Sequence, residues 1–180
     1  MRTVFRAMVG ATLALICSAT IPAYAGWNAQ VTGPDVFGRT KVFASSFGDA
    51  NDGIVIQCNS KNRLLLGYLV AATESEINMV SKSSSSIPAT LYFKIDDNPV
   101  LKFDATFGGW NNHFLAFQIN KRSPEVVKLF DEIGSAQSQI SVGAELNGDR
   151  QSSSISVEGS TEAMHKVTEY CKLANKTGNQ

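Results

Sequence analysis

The sequence carries no excess of charge of either sign: 16 Lys and Arg stand against 16 Asp and Glu in 180 residues. Nucleic-acid binders neutralise phosphates with clustered cations, and no such cluster is present, so no nucleic-acid partner is expected. Histidine is scarce. His113 and His165 are the only two, and neither has a companion at the spacing of a zinc site or a nucleophile triad. There is no C-x-x-C pair, G-x-S-x-G elbow, H-E-x-x-H helix or G-K-[ST] phosphate loop, so the usual signatures of redox, hydrolytic, metalloprotease and nucleotide chemistry are missing. No cofactor or metal is expected, and the chain reads as a non-enzyme. With 5 prolines and 14 glycines it is neither collagen-like nor a Pro/Gly-rich disordered chain.

Long hydrophobic runs are also lacking. The run Ala7 to Ala19 falls short of the ~20 residues that span a bilayer, but it follows Arg2 and Arg6 and precedes Pro22-Ala23-Tyr24-Ala25. That order is a secretory signal peptide cut after Ala25. A lipoprotein reading of Cys17 is disfavoured because Ile16 stands where a small residue is needed. The expected organisation is residues 1–25 as signal peptide and 26–180 as a single β-rich domain. Without Arg2 and Arg6 the domain is weakly acidic. Export to the periplasm or beyond places Cys58 and Cys171 in an oxidising compartment, where an even pair reads as one disulfide.

Period-two alternation dominates the mature chain. Two short strands are expected between Trp27 and Gly48, and Ile54, Ile56 and Cys58 share one face of a third. The apolar run Leu64 to Ala71 supplies a central strand with Leu64, Leu66, Tyr68 and Val70 on one layer and Leu65 and Leu69 on the other. The serine-rich stretch 81–86 reads as a loop. Ala89 to Ile95, Leu101 to Ala105 and Phe114 to Ile119 form a meander with turns at Asp96-Asp97-Asn98-Pro99 and Gly108-Gly109-Trp110-Asn111-Asn112. Ser123 and Pro124 open a short helix that ends near Gly134. Ile140 to Ala144 and a strand through Ile155 flank the turn Asn147-Gly148-Asp149. From Ser160 a second helix is expected to place Ala163, Val167, Tyr170, Cys171 and Ala174 on one face, bringing Cys171 toward Cys58, and residues 172–180 read as a frayed tail. The fold class is therefore mainly β (α+β): an antiparallel β-sandwich-like domain with two short helices, the C-terminal one tied to the sheet by the disulfide.

Among possible sites, the Trp110 turn stands out. An exposed Trp110 ringed by Asn111 and His113 would stack on a sugar or peptide group, although a buried Trp under a turn accounts for the same residues. Asp96 and Asp97 are adjacent and point to opposite faces of a strand, so they read as turn acceptors rather than an acid/base pair. A hydrolase pairing His113 with either aspartate is the weakest alternative. His165 reads as solvated, and Asn175-Lys176-Thr177 matches a glycosylation sequon.

Several segments together carry a resemblance: Ile54-Val55-Ile56-Gln57-Cys58, Leu91-Tyr92-Phe93-Lys94-Ile95-Asp96-Asp97-Asn98-Pro99, the Pro-led helix, Ser156-Val157-Glu158-Gly159-Ser160 and the closing Tyr170-Cys171. In this order they resemble the periplasmic accessory proteins of bacterial type VI secretion, the TagO/VasI type, over roughly residues 50–173. The invasion-associated locus B family is similar less closely and usually carries more cysteines. The first resemblance implies an envelope protein acting through contacts with secretion-apparatus proteins, with Cys58 and Cys171 structural. A module that binds cell-wall glycan or inhibits lysozyme is the alternative.

Overall fold

A computed structural model describes residues 26–48, 50–59, 63–82 and 87–171. Nine strands and three helices occur among them: β1 (Asn28–Thr32), β2 (Lys41–Phe47), β3 (Gly53–Asn59), β4 (Leu64–Ala71), α1 (Glu74–Ser81), β5 (Ile87–Ile95), β6 (Leu101–Gly109), β7 (Phe114–Ile119), α2 (Pro124–Ser135), β8 (Ile140–Leu146), β9 (Asp149–Ile155) and α3 (Ser160–Tyr170). The strands form one antiparallel sheet in the order β1-β2-β3-β4-β7-β6-β5-β8-β9. The expected mainly β architecture is therefore present, as a single sheet that curls around its own core, with three helices where two were expected.

Alternation decides which side chains enter that core. Ile54, Ile56 and Cys58 from β3, Leu64, Leu66 and Tyr68 from β4, Leu91, Phe93 and Ile95 from β5, and Ile140 and Val142 from β8 are all buried on the inner face. Their β-branched and aromatic character suits a half-buried pleated surface. Tyr68 is stacked on Phe117, which sits opposite it in the register, with ring centroids 6.2 Å apart. The hairpin between β8 and β9 turns through Asn147 and Gly148 at φ 53° and 92°, the left-handed pair that a two-residue turn matched to strand twist requires.

The helices close the inner face. Ser123 caps α2, its hydroxyl accepting from the Val126 N–H, and Pro124 occupies the first turn, where its missing N–H costs nothing. Val126, Val127, Leu129, Phe130 and Ile133 are buried. α3 packs on α2, β1 and β2 through Ala163, Met164 and Val167. The Cys58–Cys171 disulfide joins the end of α3 to β3, as the sequence led us to expect. Tyr170 departs from expectation: it lies on the flank of the helix and is exposed. The signal peptide 1–25, Cys17, residues 83–86 of the serine loop, Ala174, the tail 172–180 and the sequon at Asn175 lie outside the described residues.

Candidate binding face

The Trp110 turn joins β6 to β7. Its backbone is fixed by the Trp110 and Asn111 N–H groups, both donating to the Phe114 carbonyl. The Asn111 side-chain oxygen accepts from the His113 and Phe114 N–H groups at 2.8 and 3.0 Å, so this amide is used to shape the turn. The His113 carbonyl accepts from Ala72 N–H at 3.0 Å, anchoring the turn to the end of β4. Asn111, Asn112 and His113 are exposed, whereas Trp110 is half-buried. Its ring lies over Gly67 and covers a second small apolar cluster of Val55, Leu69 and Ala116, together with Phe114. Trp110 is therefore neither the fully exposed ring nor the fully buried one that the sequence offered.

That cluster belongs to a larger surface, the outer face of β2, β3, β4 and β7. The register sets Phe43, Gln57 and Leu65 in one row, Ser45, Val55, Gly67 and Gln118 in the next, and Phe47, Gly53, Leu69 and Ala116 in a third. Phe47 meets Phe114 at 5.8 Å between centroids and lies across Gly53, where an added Cβ would fall 2.6 Å from the Phe47 ring. Gly53 is thus what lets Phe47 lie flat. Phe43 and Phe47 remain more than a third exposed. The face so formed carries Phe47, Phe114 and Trp110 at one end and Phe43 at the other, with the partly exposed Ser45, Gln57 and Gln118 among them.

The aspartates serve the fold. Asp96 occupies the β5–β6 turn at φ 48°, and its carboxylate accepts from the Gln137, Ser138 and Gln139 N–H groups and from the Ser138 hydroxyl, all within 2.9 Å. Those donors hold Asp96 far below the usual carboxylate range, the Gln137 and Gln139 amides acting most strongly. It is an acceptor as expected, but for a loop more than forty residues along the chain rather than for its own turn. Asp96 and His113 also lie beyond opposite ends of β6, and nine residues at ~3.3 Å each separate the two turns by about 30 Å. A proton relay between them is not what this arrangement supports. His165 is exposed beside Glu169.

One buried polar cluster had no sequence signal. Asp52, just before β3, accepts from the Tyr68 hydroxyl at 2.6 Å and from the Ser153 hydroxyl of β9 at 2.8 Å. Burial raises the Tyr68 phenol well above its ordinary range, and the bond to Asp52 adds to the rise. The Ser153 hydroxyl is engaged as a donor to Asp52 across 101 residues of chain. Its role is to join the third strand to the last. No group of three or more metal-ligating side chains occurs among the described residues, and no described helix is long and apolar enough to cross a membrane. No family model, curated protein or solved structure matches this chain.

Proposed function

We propose that the chain is an exported, non-enzymatic envelope protein that binds another envelope protein through the outer face of β2, β3, β4 and β7. The observation that carries this reading is the aromatic cluster of Phe47, Phe114 and Trp110 on the outer face of the sheet, with Phe43 exposed two rows further along the same face. Partly exposed aromatics gathered in one patch are the composition of an interface centre. The disulfide accords with an oxidising compartment, and the periplasm is the proposed location. The resemblance of its ordered segments to the type VI accessory proteins makes components of that secretion apparatus the first partners to test.

The test is site-specific photo-crosslinking in the native envelope from a probe at Phe43, with a probe at Lys94 on β5 as the control. A discrete protein adduct from position 43 only, lost in Phe47→Ser, supports the reading. Its absence, with Trp110→Ala abolishing co-sedimentation with peptidoglycan, would replace a protein partner by cell-wall glycan.

A further inference from the structure

Beyond this face, the end of the sheet bearing the β1–β2 loop has a different character. A groove of about 920 Å³ opens there, lined by Lys41, Arg63 and Arg122 together with Phe43, Leu65 and Asn120, among others, and none of the described residues lining it is acidic. Lys41 and Arg63 form no ion pair among the described residues. Beside the groove, the β1–β2 loop carries the two most exposed large hydrophobic residues of the described chain, Val36 at 93% and Phe37 at 75%.

The loop is built to hold them out. The Asp35 carboxylate accepts from the Phe37 and Arg39 N–H groups, both at 2.9 Å, and pairs with the Arg39 guanidinium at 2.8 Å. Arg39 in turn lies over the Phe37 ring, 4.7 Å from its centroid. The one carboxylate of the loop is thereby offset by its own arginine. An added Cβ at Gly38 would meet nothing within 4 Å, so the tip stands clear of the rest of the molecule. Glu169, which the disulfide draws toward the same end, faces His165.

We infer that this end is a membrane-contact pole that reads anionic phospholipid headgroups. Lys41 and Arg63 meet the phosphates while Val36 and Phe37 enter the headgroup–acyl boundary. A protruding apolar pair flanked by cations is what an interface requires of a peripheral protein. An acidic protein partner would instead need a pocket to receive the tip. The groove adjoins the aromatic face at Phe43, Gln57 and Leu65, whereas Val36 and Phe37 belong to the β1–β2 loop alone, so the vesicle test is read on that loop and on Lys41 and Arg63.

The test is co-sedimentation of the processed protein with vesicles containing phosphatidylglycerol, against vesicles of phosphatidylcholine alone. Binding to the first and not the second is expected, weakening with salt. At about fivefold per cation near an anionic surface, Lys41→Glu with Arg63→Glu lowers the partition coefficient by about 25-fold or more. Val36→Ser with Phe37→Ser abolishes binding at unchanged melting temperature, because both side chains are exposed. Equal binding to both vesicle types, or undiminished binding of either double variant, overturns the inference. So does inorganic phosphate shifting the Lys41 and Arg63 amide resonances while vesicles leave the protein in solution, because the groove then takes a free anion. Capture of an acidic protein by a photo-probe at Phe37, with no lipid binding, overturns it equally.

Discussion

Single residues fasten this fold at points far apart in the chain. Asp52 gives the buried Tyr68 hydroxyl and the half-buried Ser153 hydroxyl their acceptor. Asp52→Ala should cost about 3 kcal/mol in urea unfolding, because the buried Tyr68 hydroxyl and the half-buried Ser153 hydroxyl both lose a charged partner. Tyr68→Phe should cost about 1–2 kcal/mol on the same scale. Asp96 supplies a pH signature. Its carboxyl titrates below the ordinary value in the fold, so its contribution is complete above about pH 4 and is lost as the pH falls through the lower, folded value. Melting temperature measured from pH 6 down to pH 2 should therefore decline more steeply in the native protein than in Asp96→Asn. That Asp96 marks a turn was legible in Asp96-Asp97-Asn98-Pro99. That it fastens residues 137–139 was not, because nothing local encodes a contact across 41 residues. Asp52 and Ser153, 101 residues apart, were illegible for the same reason.

The elements themselves were mostly legible, since each has its own periodicity. The strand bearing Ile54, Ile56 and Cys58 and the helix led by Ser123 and Pro124 form where alternation and capping place them. α1 was missed because Glu74–Ser81 has no apolar stripe and buries only Ile77. Its signal was a capping box: the Thr73 hydroxyl accepts from Glu76 N–H while the Glu76 carboxylate accepts from Thr73 N–H, a four-residue pattern present in the sequence. On α2, Ser123→Ala should cost about 1 kcal/mol, read as a lower urea midpoint, because one first-turn N–H loses its acceptor. α3 is held by the disulfide, which spans 113 residues of chain. Closure of so long a loop constrains the unfolded state, and Cys58→Ser should reduce unfolding free energy by up to about 5 kcal/mol in non-reducing urea titrations.

At the scale of the molecule, the curl of the sheet is closed without direct pairing of its edge strands. Trp27 donates its indole N–H to the Ser156 carbonyl at 2.9 Å and its backbone N–H to Glu158 at 2.8 Å, while Asp52 reaches Ser153. The edges are otherwise blunted: β1 has 5 residues, and β9 runs through Asp149, Arg150, Gln151 and three serines, a polar edge that discourages further strand addition. Amide exchange should follow this layout, slowest at Leu66 and Tyr68 in the interior of the sheet and fastest along β1 and β9. The sequence by itself determined the strands, the capped helix α2, the face on which Cys58 lies and its pairing with Cys171, because alternation, capping and thiol chemistry are read within a few residues. Only the tertiary structure decided that one sheet curls rather than two stacking, that Phe43, Phe47 and Trp110 share an outer face, and that Lys41, Arg63 and Arg122 meet beside Val36 and Phe37. Those outcomes depend on strand order and register, which are fixed by packing between segments far apart in the chain.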